Sequence, residues 1–204
     1  QSVFNGKADN GIAHLMEEIS EIGFSKYTNE LAEFYSLLIS LDYSHPGLTR
    51  EAYMSHPIRV ARLFMMYSKN VTIDSLKLCL AHNLLEVTGL KLEQLKDPHF
   101  HKIASDISLL TVIRDIQWDQ VYKQKYYSAL SKIPHIATVK VLDKLDNLFL
   151  LEDNPCSEIK SLYLKEISEF VIPLSKKYVP SCTHIFFDLT FRNRIKLTRE
   201  GYEL

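Results

Sequence analysis

Apolar residues in this chain recur mostly three and four positions apart, and that spacing admits amphipathic helices far more readily than strands. Six glycines and seven prolines in 204 residues leave long stretches without a breaker. The expected fold is therefore all-α: a helical bundle in one domain over 1–204, a length sufficient for one sizeable core and short for two.

The segments GIAHLMEEISEIGF and NELAEFYSLLISLDY read as the first two helices, the second ending near the turn-rich SHPG. Ser55-His56-Pro57 reads as the mouth of a third, since Pro suits a first helical turn; Val60, Leu63, Phe64 and Tyr67 form its stripe. Thr72 is the expected N-cap of one helix spanning TIDSLKLCLAHNLLEV, with Gly89 ending it. Helices follow around HKIASDISLLTVIRDI, over WDQVYKQKYYSALSKI up to Pro134, over IATVKVLDKLDNLFLLED, and from Glu158 to Tyr178. The tail after Pro180 mixes β-branched and aromatic residues, and its pattern does not choose between helix and strand.

Charge excludes some partners. Lys and Arg (24) nearly balance Asp and Glu (25), so no global basic field points to a nucleic-acid polymer. No apolar run reaches the length of a signal-peptide core or a membrane span. Cys79, Cys156 and Cys182 are odd in number and form no CxxC pair, which favours a reducing, cytoplasmic setting over a disulfide framework. Oligomeric state is not legible.

Polar residues stand out where the pattern calls for apolar ones. His82 and Asn83 interrupt a run of Leu and Ala, with Glu86 following; Asp143 and Asn147, four apart, share a face of the later helix away from Val141, Leu142, Leu145, Leu148 and Phe149. Singly, each has an ordinary reading: a capping His56, a buried His82 satisfied by one hydrogen bond, a solvated Asp143, an exposed Lys144.

Together, YMSHPIRVARLF, AHNLLEVT and VKVLDKLDNL resemble, in residue type, order and spacing, three motifs of the HD-domain metal-dependent phosphohydrolases. Within that superfamily they are most similar to the hydrolase domain of RelA/SpoT proteins and the small alarmone hydrolases. The likeness runs over 45–178, where LKEISEFVIPLSKKY is similar to a further family helix. It implies a helical HD fold and one divalent metal, manganese first, with iron, zinc or magnesium as alternatives. His56, His82, Asn83 and Asp143 stand at the ligand positions, Glu86 at the catalytic Glu, Asn147 at a substrate-contacting Asn, and Lys144 at a basic position. Two imidazoles with carboxylates suit such a metal, which acidifies bound water and polarises phosphorus. The implied activity is that of a guanosine 3′,5′-bis(diphosphate) 3′-pyrophosphohydrolase, or hydrolysis of a related nucleotide phosphate ester.

Two positions depart from the pattern. Asn83 replaces the Asp of the HD pair, removing a negative charge and weakening metal affinity; Val87 replaces the acidic neighbour of the catalytic Glu. The stretch LTREAYMSHP keeps only Glu51 and Tyr53 of the family's run before the first His, which weakens the expectation of a guanine pocket. These departures favour the alternative reading, a degenerate HD domain kept as a nucleotide-binding or protein-interaction module. A third reading, a helical scaffold with an accidental constellation, has motif order against it.

Overall fold

Thr72 shows how this sequence starts its helices. Its hydroxyl oxygen accepts the Ser75 N–H at 3.1 Å while Ser75 Oγ accepts the Thr72 N–H at 2.9 Å, so two otherwise orphaned donors are satisfied reciprocally. The computed structural model describes residues 8–44, 50–199 and 201, the side chains of 8–10 and 50–52 excepted, and among them no β-strand occurs. Residues 45–47 of the expected SHPG turn and the Glu51 side chain lie outside the described residues. The chain divides into two units, 1–113 and 114–204.

In the first unit, α1 (Ala8–Ile19) and α4 (Ile73–Ala81) pack on α3 (Arg50–Tyr67), and α2 (Thr28–Ser40) packs on α4. The short α5 (Leu84–Val87) and α6 (Ala104–Leu110) lie together beyond α4. Leu15, Ile19, Leu31, Phe34, Ile58 and Phe64 are fully or almost fully buried. Lys77 is buried in the same unit, its Nζ 2.5 Å from Glu30 Oε1 and 3.3 Å from His99 Nδ1.

In the second unit, α8 (Pro134–Leu150) packs against α7 (Gln120–Leu130), α10 (Ile172–Tyr178) and α11 (Thr183–Arg199), and α9 (Ser157–Glu166) packs on α11. Val141, Leu142, Leu145 and Leu148 are buried as their spacing predicts, whereas Phe149 is only half-buried.

Several expected boundaries shift for identifiable reasons. The first helix stops at Ile19 and gives way to a wide turn, in which Gly23 takes φ 84°, a conformation glycine adopts without a Cβ penalty. Ser55-His56-Pro57 does not open α3 but lies inside it; the helix tolerates the one hydrogen bond that Pro57 cannot donate. The helix expected over 72–87 breaks at His82-Asn83, and Gly89 does not end it: Thr88 turns extended and bridges Tyr43. The 101–116 helix contracts to α6 and a later 3₁₀ turn. Between α9 and α10 the backbone widens into a π turn, Ile167–Val171, where the Ile172 N–H reaches back five residues to the Ile167 carbonyl. The undecided tail is helical over Thr183–Arg199, because Phe186, Thr190, Asn193 and Leu197 recur on one buried face of α11. No helix among the described residues is long and apolar enough to cross a membrane.

The Lys77 ion pair makes a testable contribution to stability. Its hydrogen bond from Lys77 lowers the Glu30 carboxyl below its ordinary range. A carboxylate depressed in the folded state stabilises above its unfolded pKa, and that stability is lost as pH falls through the folded value. Glu30→Gln should therefore cost about 1–2 kcal/mol at neutral pH, at the low end for a charged hydrogen bond because Glu30 is partly exposed. Urea denaturation of the variant and the parent should converge as pH drops below the carboxylate range; a pH-independent difference would contradict the assignment.

Candidate metal centre

α4 ends at Ala81, and the carbonyls of its last turn lack amide partners within the helix. His82, the C-cap and fully buried, meets one of them: its Nδ1 lies 2.7 Å from the Cys79 oxygen. A carbonyl only accepts, so Nδ1 carries the proton and Nε2 presents its lone pair. That Nε2 lies 3.2 Å from His56 Nε2, with the rings edge to face at 65°. His56, buried in α3, is thus brought beside His82, and the tautomer of one imidazole is set by the helix end that carries it.

Two nitrogens bound about 2.1 Å from one divalent ion and at right angles around it lie about 3 Å apart. The His56–His82 spacing fits that requirement. Cys79 does not join as a thiolate, because full burial pushes its thiol well up.

Asn83 follows in the sparsely used region between helix and strand, φ −103° and ψ 11°. Its carbonyl accepts the Glu86 and Val87 N–H groups at 2.9 and 3.2 Å, which starts α5. The break puts His82 and Glu86 on separate helices rather than on the single helix expected over 72–87. Glu86 is positioned instead by a loop: its Oε1 accepts the Val112 N–H at 2.8 Å. Val87 is 1% exposed, so this departure from the family pattern is a core-packing residue.

In the second unit Asp143 is buried, not on a solvated face. Lys140 and Asn147, one turn before and one turn after it on α8, grip its two oxygens: Lys140 Nζ donates to Oδ2 at 2.9 Å and Asn147 Nδ2 to Oδ1 at 2.8 Å. Lys144 turns elsewhere, its Nζ 3.0 Å from Glu166 Oε1 and 4.6 Å from the centre of the Tyr163 ring.

Among the basic residues near the three motifs, Lys140 is buried on Asp143, Arg59 donates to Ser55 Oγ at 2.8 Å, and Arg62 Nε donates to Glu18 at 3.0 Å. Glu166, Tyr163 and the Val112 amide had no sequence signal pointing to them. Burial raises the Tyr163 phenol well above its ordinary range, with Asp143 adding to the effect, so it acts as a neutral hydroxyl.

Comparison with known proteins adds the fold. No family model matches the chain, and no curated protein does. Among solved structures it is similar to a metazoan ortholog of SpoT that hydrolyzes ppGpp and plays a role in starvation responses. The TM-score is 0.61 and the identity 19%, over 80% of this chain and 94% of that one. At this identity what is shared is the fold, and the HD-type helical fold implied by the motif order is the fold of this chain.

The His82 tautomer is directly measurable. Two-dimensional ¹⁵N NMR of the metal-free protein should show His82 protonated at Nδ1, with its Nε2 shift in the range of an unprotonated nitrogen. An Nε2–H signal for His82 would contradict this tautomer.

Proposed function

We propose that this protein is a metal-dependent phosphohydrolase acting on a nucleotide that carries a phosphate or diphosphate ester, with guanosine 3′,5′-bis(diphosphate) as the reference substrate. The observation that supports it most is the buried His56–His82 pair, whose nitrogens converge at a spacing suited to one divalent ion. In this reading His56, His82 and Asp143 hold the ion, with the weaker oxygen of Asn83 as a further ligand; manganese is the first candidate, then iron, zinc or magnesium. When bound, the ion supplies an acidified water and charge neutralisation at phosphorus.

The chain's own residues do the rest. Glu86, held through Oε1 by the Val112 amide, accepts the proton released as water adds to phosphorus. The bond between that phosphorus and the ribose 3′ oxygen breaks, and the 3′ oxygen takes up a proton as pyrophosphate leaves. Asn147 and Lys144 contact the nucleotide, and Asn147 at the same time keeps Asp143 oriented. The substrate is a soluble nucleotide rather than a nucleic-acid polymer, and the setting is cytoplasmic.

A second reading has its own observations: Asn83 brings no charge to the ligand set, and Val87 is packed into the core where the related family has an acid. It makes the chain a nucleotide-binding or protein-interaction module without turnover. Paired metal analysis and manganese-dependent hydrolysis of guanosine tetraphosphate, on the parent and on Asn83→Asp, separate the two. The hydrolase reading expects metal and pyrophosphate release by the parent, with affinity for metal raised about tenfold or more by the added carboxylate. Absence of turnover in both proteins would sink it.

A further inference from the structure

Glu166, the last residue of α9, is a buried carboxylate held from three sides within the second unit. The Tyr127 hydroxyl donates to Oε1 at 2.5 Å, Lys144 Nζ lies 3.0 Å from the same oxygen, and Lys123 Nζ lies 3.8 Å from Oε2. Behind these contacts stand two aromatic supports: Tyr127 stacks on Phe170 at 5.0 Å between ring centres, and Lys123 sits 4.6 Å over the Trp118 ring. The π turn begins at the next residue, so the helix changes register immediately after placing this side chain.

A buried carboxylate facing two lysines contributes little net stability over an apolar replacement of similar volume, and such groups are a weak argument for stability alone. What the arrangement does fix is position. Lys144 has three ammonium donors; Glu166 takes one, and the Tyr163 ring lies under the same nitrogen. Among the described residues no other acceptor is bonded to Lys144, so two donors remain for an anionic oxygen. Lys123 and Lys144 both face the Glu166 carboxylate, and Lys123 also feels Glu169, so Lys144 depends on Glu166 for its placement.

We propose that Glu166 is a positioning residue for nucleotide binding: with Tyr127 it fixes the Lys144 ammonium so that its remaining donors meet a phosphate oxygen of the substrate. This rests on the hydrolase reading for the identity of the ligand. The alternative is that Glu166 neutralises buried lysines and does nothing for binding. The two differ in how Glu166 and Lys144 couple. If Glu166 acts through Lys144, its loss matters only while Lys144 is present.

The experiment is a double-mutant cycle of Glu166→Gln and Lys144→Ala, with Glu166→Asp as the conservative variant. Each protein is assayed for kcat and KM with guanosine tetraphosphate, for equilibrium binding of that nucleotide by calorimetry in calcium, and for thermal stability. Glu166→Gln should raise KM and Kd about tenfold with kcat within about threefold. Glu166→Asp should recover part of the loss, and the double variant should bind no worse than Lys144→Ala. Additive losses, or unchanged binding in Glu166→Gln, would overturn the proposal. Should Glu166→Gln fail to fold, the aspartate variant decides by the same KM criterion. Binding without turnover by the parent would defeat the hydrolase reading while leaving the cycle valid in its binding arm; no binding by the parent would defeat both.

Discussion

One hydrogen bond orders the buried histidine pair: His82 Nδ1 to the Cys79 carbonyl. It can form because α4 stops at Ala81 and leaves that carbonyl without an amide partner, and it obliges Nε2 to face His56 as a lone pair. A helix continuous through Val87 would have given Cys79 an amide from Asn83 and removed the reason for this tautomer. The break at Asn83 therefore sets the geometry of the histidine pair. It also moves Glu86 onto a separate short helix, where the Val112 amide becomes its reference point.

The second unit solves a different physical problem, that of keeping charge inside a helical core. Asp143 is satisfied by donors one turn to either side on its own helix, while Glu166 draws donors from two neighbouring helices, α7 and α8. Burial alone would raise the Glu166 carboxyl, but Lys144, Tyr127 and Lys123 together outweigh it and hold it below its ordinary range. Apolar residues of similar volume would often be as stable in such places, so charges retained there point to binding or catalysis more than to folding.

How much of this was legible in the sequence depended on the range of the interaction. The helical class, the buried faces of α8 and the cap at Thr72 follow from spacing and local hydrogen-bonding chemistry, and all are present. The helix break was not legible, because Leu80, Ala81, Leu84 and Leu85 keep helical spacing across His82-Asn83 and the competing bond is to a backbone carbonyl. His56 looked like the residue at a helix mouth because Pro57 favours a first turn, yet the packing of α3 on α1 and α4 outweighs one lost hydrogen bond. Asp143 stood on the polar side of its helix in every local reading; only contact with Lys140 and Asn147 in a buried setting distinguishes it. Glu166 could not be found at all, since its partners on α7 and α8 lie 22 or more positions away in the sequence.

The central proposal is that the His56–His82 pair holds one metal ion, and the most direct measurement is crystallographic. Crystals grown with manganese and measured at energies above and below the manganese absorption edge would show an anomalous difference peak wherever that metal binds. The account predicts a strong peak about 2.2 Å from both His56 Nε2 and His82 Nε2. An unoccupied position between the two imidazoles at millimolar manganese, with the nitrogens still in direct contact, would contradict it.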